Sequence, residues 1–285
     1  MRFVFIYRHR YQYPVKVMCR VLRVSRSGYY GFMKKRGKRL RHAEMIIRIR
    51  EIHQRSRYTY GSRRIMYQLR NNGIMIGRYR VRRLMRLAGI MVKRKRRYRV
   101  TTRSNHRYPV SPNLVARNFR AHQPNRVWAS DITYIRTLEG WLYLAVVLDL
   151  FSRKVVGWAM ARRMTVELVK KALLMAVGRR GPGPGLIHHS DRGIQYACHE
   201  YRRILGAYDM VSSMSGKGDC LDNAVVERFF RTLKTETLED WKYLPVEYVK
   251  RDIVDFIEVF YNNQRLHSYN KYCSPNNYER SCENS

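Results

Sequence analysis

The sequence predicts an α/β protein: a mixed five-stranded sheet with flanking helices, preceded by a basic region that is helical throughout. Three observations predict it. Charge is segregated, with 35 Lys/Arg and 2 Asp/Glu in residues 1–120 but 23 and 19 in residues 121–285, for a formal net charge of +37. Apolar residues recur at helical spacing in the first part and gather into strand-like runs after Asn125. Hydrophobic residues make up 45% of the chain, enough for a packed core.

Taken in order, Val15–Lys35 reads as a helix, a turn around Val24–Ser25 and a second helix start. The charge run over 34–42 (KKRGKRLRH) reads as a solvated connector. Helical period returns with Met45, Ile46, Ile49 and Ile52 on one stripe. Two short helices follow, one carrying Ile65 and Leu69 and ending at Gly73, the next striped by Val81, Leu84, Met85 and Ala88 and ending at Gly89. The first presents Arg63 and Arg64, the second Arg78, Arg80, Arg82, Arg83 and Arg86, so the pair is a candidate helix-turn-helix facing DNA. The bland alternative is a basic hairpin that only packs on its neighbour. Residues 92–113, with Lys93, Arg94, Lys95, Arg96 and Arg97, lack periodicity and end in two prolines; they read as a linker, either threading along phosphates or simply solvated.

After Asn125 come three strand-like runs (127–135, 141–150, 154–160) with breaks short enough for hairpins. An amphipathic helix (165–177), a Gly/Pro loop, a short buried strand (186–190), a helix (193–208), a short strand (210–213), a helix (221–236) expected to be capped by Asp222, and a last helix over Pro245–Tyr261 complete the order. Three antiparallel strands followed by helix, strand, helix, strand, helix is the order of a ribonuclease-H-like core. Four segments are expected: 1–42 basic and helical, 43–100 helix-turn-helix-like, 101–121 linker, and 122–285 the α/β core with its C-terminal helix.

Composition narrows the partner. A basic arm ahead of a nearly neutral domain calls for a polyanion. Its apolar residues do not form the Trp/Phe/Leu face that lipid would need, so DNA is favoured over a membrane surface. Five scattered cysteines without a CxxC pair point to neither zinc nor a disulfide framework. No targeting or spanning segment is recognisable, and a cytoplasmic, nucleoid-associated protein is expected.

The chemistry rests on Asp131, Asp191 and Glu227. Asp131 interrupts an apolar strand, where an unpaired carboxylate is costly and needs a cation or an arginine. Asp191 ends a short strand, where α/β folds place ligands. Glu227 lies on a helix with Arg231 one turn on and Lys234 two turns on, along the same edge. Taken alone, Glu227 and Arg231 would be an ordinary i,i+4 surface pair. Three carboxylates brought together repel, and divalent cations relieve that repulsion. Oxygen-only ligands favour Mg²⁺ or Mn²⁺, and two ions per site would serve phosphodiester displacement. Asp149 is assigned a structural role. His188 and His189, adjacent on a strand, point to opposite faces; His189 is at most a supporting or DNA-contacting group, and a structural role is the favoured reading.

At these residues the likeness to a family is specific. WASDITYIRTLEGWLYLAVVLDLFSRKVVGW, HHSDRGIQY, SMSGKGDCLDNAVVERFFRTLKTE and YNNQRLHSYNKYCSPNNYE resemble the second-frame (OrfB) product of the IS3 family of bacterial insertion-sequence transposases, whose core is like that of retroviral integrases. YGSRRIMYQL with VRRLMRLAGI resembles the same family's upstream helix-turn-helix. The resemblance spans nearly the whole chain, and 35 residues separate Asp191 from Glu227, as in the family. It implies a metal-binding triad of Asp131, Asp191 and Glu227, a downstream basic residue at Lys234, cleavage at element ends and 3′-hydroxyl strand transfer. Joining two ends of double-stranded DNA demands at least two copies, and the resemblance also implies partnership or frameshift fusion with an upstream frame. Two departures stand out: Arg228 replaces the usual Ser after the glutamate, and NKYC precedes Ser274–Pro275 in place of a Leu-Gly-Tyr. The zinc-binding His/Cys module of retroviral integrases is absent, and so is a heptad run.

Overall fold

The computed structural model describes residues 1–92, 110–216, 220–237 and 240–283. The chain divides into two compact units, Met1–Val92 and Lys93–Ser285. Lys93, Arg94, Lys95, Arg96 and Arg97 lie outside the described residues. No helix among those described is long and apolar enough to cross a membrane.

The first unit is helical: α1 (Arg2–His9), α2 (Val15–Val21), α3 (Arg26–Arg55), α4 (Ser62–Asn71) and α5 (Arg78–Leu87). Its last four helices stop by one device. A residue just past each helix turns left-handed (Arg23, Arg57, Gly73 and Gly89). The N–H after it then reaches back five residues, from Val24 to Cys19 O, Tyr58 to His53 O, Ile74 to Leu69 O and Ile90 to Met85 O, at 2.8–3.0 Å. The connector expected over 34–42 is instead the middle of α3. Lys and Arg are good helix formers, and a basic run without Pro extends a helix that has tertiary support at both ends. The stripes behave as their spacing requires: Ile49, Ile52, Ile65, Leu69, Val81, Leu84 and Met85 are all buried.

The second unit is a five-stranded sheet in the order β3-β2-β1-β4-β5. Its strands are β1 (Val127–Thr137), β2 (Gly140–Asp149), β3 (Val155–Ala161), β4 (Ile187–Ser190) and β5 (Val211–Met214). β1, β2 and β3 are antiparallel neighbours, while β4 pairs parallel to β1 and β5 parallel to β4. Around it lie α6 (Val166–Arg180), α7 (Ile194–Ala197), α8 (His199–Ala207), α9 (Ala224–Glu236) and α10 (Val246–Val254), which runs on as π-helical turns through Asp255–Tyr261. The helix expected over 193–208 is split at Cys198, whose backbone is extended. A final helix, α11 (Pro275–Glu283), was not expected from the sequence.

One core lies under α6 and α8, where Trp128, Val147, Val156, Leu173, Tyr196 and Tyr201 are buried together. Gly157 makes that packing possible, because a Cβ there would sit 2.2 Å from Ala172 O and 2.8 Å from Ala176 Cβ. Residues 110–117, placed with the linker on sequence grounds, run beside β5. Met214 N donates to Pro112 O at 3.3 Å and Leu114 N to Ser213 Oγ at 3.0 Å. They cover an edge strand that would otherwise present open hydrogen-bonding groups.

Candidate active site

Register alone brings two of the three carboxylates together. β1 and β4 pair in parallel from Val127↔Ile187 to Ser130↔Ser190. The next residues in step are Asp131 and Asp191, at the point where β4 ends and β1 continues beside Val146 of β2. Neighbouring strands are about 4.8 Å apart, so the two acids leave adjacent backbones side by side. Trp128 and Ile132 point into the core under α6, and strand alternation sends Asp131 to the opposite face. Glu227 arrives from the first turn of α9, a helix that packs on β1. Asn223, just before it, donates from Nδ2 to Ser130 O at 3.1 Å and ties the helix start to the strand beside Asp131.

Local backbone fixes both aspartates. Asp131 Oδ1 accepts the Ile132 N–H at 2.7 Å, and Asp191 Oδ1 accepts the Gly193 N–H at 3.0 Å. Burial drives the Asp131 carboxyl well above its ordinary pKa, and the charge of Asp191 adds to this. Glu227 pushes the same way more weakly, while the Ile132 N–H and Lys234 oppose. Burial also raises Glu227, against the pull of Arg231. The acids therefore share one field, with Asp191 the stronger neighbour of Asp131 and Glu227 the weaker. Among the described residues, no three His, Cys, Asp or Glu side chains close into a ready-made metal cage.

Lys234 approaches the same strand. Its Nζ donates to Tyr134 O at 2.8 Å and lies 5.1 Å from the Tyr134 ring centroid. Burial lowers it to about 8, with Asp131 holding it up. Arg228 and Arg231 are both exposed on α9. Elsewhere, Arg78, Arg80, Arg82, Arg83 and Arg86 are exposed on α5 and Arg63 on α4, whereas Arg64 is half-buried and stacked over Tyr60.

Asp149, buried, accepts from Asn125 N at 2.8 Å and Phe151 N at 2.9 Å and stands 3.5 Å from Arg180, so its oxygens are used in the fold. The histidines are structural too. His188 Nε2 lies 2.9 Å from Ser130 Oγ and 3.1 Å from Tyr201 OH, and burial lowers it to about 3, which keeps it neutral. His189 is completely buried against Ser213 and the Asp222 carbonyl, which rules out the DNA contact considered for it. Asp222 does not cap α9. Its carboxylate instead accepts from Gly216 N, Asn113 Nδ2 and Arg117 Nε at 2.8–3.2 Å, pinning residues 113–117 to the loop before the helix.

Sequence reasoning missed Asn223 as the tether of α9, and it missed the buried pair in which Arg265 grips Glu236 at 2.6 and 2.7 Å. The second pair joins the end of α9 to the YNNQRLH segment. An Asn before an Ala-Val-Val-Glu run gives no sign that its partner lies 93 residues earlier.

Comparison with known proteins identifies the family. Residues 121–220 and 227–281 match integrase core domain families, and residues 40–98 match an HTH-like domain family. The InsF transposase of insertion sequence IS3A from Escherichia coli (strain K12) is 40% identical over 285 residues, covering 98% of each chain. The chain belongs to the IS3 family of insertion-sequence transposases. An uncharacterized 31 kDa protein of insertion element IS600 from Shigella sonnei is 45% identical, over 88% of this transposase and 93% of that protein. Among solved structures, the HTLV-2 integrase catalytic core in complex with magnesium aligns with a TM-score of 0.45 at 20% identity, over 56% of this chain and 99% of that one. The transposase is thus a polynucleotidyl transferase of DNA transposition, with a DNA-binding helical region ahead of an integrase core.

Proposed function

We propose that Asp131, Asp191 and Glu227 are the acidic centre at which this transposase cuts the ends of its element and joins the freed 3′-hydroxyl to target DNA. The observation that carries it is the meeting of Asp131 and Asp191 in parallel register, with the Asp131 carboxyl raised first by burial and then by the charges of Asp191 and Glu227. Buried like charges of this kind are relieved by protonation or by a cation. The donors are oxygen only, which fits Mg²⁺ or Mn²⁺. An open arrangement also fits, since Mg²⁺ is commonly held by one or two carboxylates with phosphate and water completing its shell, without an all-protein cage. Two ions bound there would activate water or a 3′-hydroxyl and neutralise charge on the departing oxygen.

The chain's own groups do the rest. The Ile132 and Gly193 N–H groups aim the aspartates, Asn223 sets the height of α9 against β1, and Lys234 with Arg231 supplies positive charge beside the acids. Phosphate is met by Arg63, Arg64, Arg78, Arg80, Arg82, Arg83 and Arg86, and by Lys93, Arg94, Lys95, Arg96 and Arg97 in the following segment. On this reading the helical region up to about residue 100 binds DNA and 122–285 is the catalytic core; the expected 42/43 boundary falls inside α3, and residues 110–117 of the expected 101–121 linker lie along β5 of the core. At least two copies act on a pair of ends, with the upstream-frame protein as partner or fusion.

The test is a strand-transfer assay with element-end duplexes and Mg²⁺. Wild type joins ends to target, while Asp191→Asn yields neither cut nor joined product although it still binds DNA. Full activity in Asp191→Asn overturns the triad. Cut ends without joining by wild type would make the enzyme a nuclease.

A further inference from the structure

We propose that residues 15–34 form a second helix-turn-helix that reads the major groove of double-stranded DNA, separate from the one in α4 and α5. The matched HTH-like family begins at residue 40, so this element precedes it.

The argument begins with the turn. α2 ends at Val21 and α3 begins at Arg26, which leaves a four-residue turn, Leu22–Ser25. Arg23 is left-handed at φ 51, and Val24 N donates to Cys19 O at 3.0 Å. The longer turn after α4 starts with the same stop, with Gly73 left-handed and Ile74 N donating to Leu69 O at 2.9 Å. Ser25 caps α3 by accepting the Gly28 N–H at 3.0 Å. Beneath the turn a small core locks the two helices on α1: Ile6, Met18, Cys19 and Tyr29 are buried, with Phe3, Leu22 and Val24 packed against them. A Cβ at Gly28 would lie 2.8 Å from Ser25 Oγ and 3.0 Å from the Phe3 ring, so glycine permits this close approach. The arrangement matches a helix-turn-helix: a supporting helix, a turn of a few residues, and a longer helix whose N-terminal turns are presented outward.

The outward face has the chemistry of a groove reader. Arg26, Ser27, Tyr30, Gly31 and Lys34 are all exposed over the first turns of α3. Tyr30, 55% exposed, is braced edge-on against the buried Tyr29 with ring centroids 5.4 Å apart. An arginine, a hydroxyl and a steadied aromatic ring are suited to base edges and thymine methyls. Lys16, Arg20 and Arg23 stand exposed beside them as phosphate contacts. Residues 1–43 contain no Asp or Glu, and the first acids of the unit, Glu44 and Glu51, lie well beyond the N-terminal turns of α3.

Gly31 is the decisive residue. It sits on the exposed side of a long helix, where glycine is less favourable than alanine by about 1 kcal/mol. Nothing lies within 4 Å of a Cβ placed there, so packing gives no reason for it. A missing side chain between Ser27 and Lys34 lets another molecule's surface approach the helix backbone.

The test uses the full chain in EDTA, so cleavage plays no part and the triad is not in question. Wild type, Arg26→Ala/Ser27→Ala/Tyr30→Ala, and Gly31→Gln each select binding sites from a pool of randomised duplexes. All variants are checked for wild-type helicity and melting. Wild type enriches a site with two sequence blocks, and both variants retain only the block read by α5. On the wild-type site their affinity falls roughly 10–100-fold, whether contacts are truncated in the triple variant or the approach is blocked by Gly31→Gln, the size of one or two lost base contacts, while affinity for unrelated duplex falls under about fivefold. Folded variants that enrich both blocks overturn the proposal. So do equal losses on selected and unrelated duplex, which would mean phosphate contact without reading. Replacing Arg78 and Arg82 by Ala must spare the α3 block; loss of both blocks there would also sink independence of the two elements.

Discussion

In Met1–Val92 the charges, the buried Arg57 apart, stand outside an apolar core. Arg78, Arg80, Arg82, Arg83 and Arg86 ring one side of α5 while Val81, Leu84 and Met85 fill the other. In the sheet unit the decisive charges are inside. Asp131 is pushed far from its ordinary protonation, Asp149 and Glu279 are held by Arg180, and Glu236 is gripped by Arg265. The contrast separates two tasks. Affinity for a polyanion is a sum of screened surface contacts, each replaceable and each weakened by salt. Chemistry needs like charges forced together out of water, and such a site works only if every neighbour is fixed. Sequence changes should therefore act gradually in the first unit and abruptly in the second.

The sharpest way to break that comparison is a double dissociation. Glu227→Gln keeps shape and removes one charge from the acidic centre. Cleavage and strand transfer should fall by roughly a thousandfold or more, since loss of several kcal/mol of charge stabilisation is a decade per 1.36 kcal/mol. DNA affinity, measured by anisotropy, should stay within about twofold. Replacing the five α5 arginines by Gln should do the reverse. The slope of log K against log salt should drop by about 0.9 for each phosphate that is no longer neutralised, with cleavage recovering at high DNA concentration. Lost binding in Glu227→Gln, or an unchanged slope in the arginine variant, would erase the division of labour.

A smaller effect probes how tightly the sheet unit is packed. Gly157→Ala places a methyl group against the Ala172 carbonyl and Ala176, so strand and helix must separate. Overpacking of this kind destabilises by about 1–3 kcal/mol, read as a lower melting temperature with DNA binding retained. Gly37→Ala, on α3 with open space around it, should do the opposite and stabilise slightly. If both variants melt alike, the core under α6 is looser than its geometry implies.

Much of this was legible in the sequence because its signals are local. The hairpins 127–161 announce themselves by continuous apolar runs and short polar breaks, and the helix stops at Gly73 and Gly89 by a residue suited to positive φ. The stops at Arg23 and Arg57 use the same geometry with a residue that gives no hint of it, and α3 passed for a connector because its middle is uniformly charged. At the site, Asp131, Asp191 and Glu227 could be singled out as acids out of place. What fixes them could not, since Asn223 with Ser130 and Arg265 with Glu236 join distant segments and conform to no periodicity. The isolated Asp222 looked like a helix cap, and only tertiary structure assigns it to Asn113 and Arg117.

The gentlest test concerns acid. Glu279 on α11 accepts from Ser152 Oγ at 2.7 Å, Lys154 Nζ at 3.1 Å and Arg180 Nη1 at 2.9 Å. Burial works to raise its pKa, but Ser152 and the two cations outweigh burial and hold it below the ordinary 4.5. A carboxylate lowered in the fold contributes stability that is complete above its unfolded value and lost as pH falls through the folded one. Wild type should therefore lose an increment of melting temperature below about pH 4.5, and Glu279→Gln, which cannot titrate, should not. The two melting curves should draw together as the solution is acidified. Parallel curves across that window would place the clasp of α11 outside the acid response, and would mean that buried charge in this unit is less tightly coupled than the acidic centre requires.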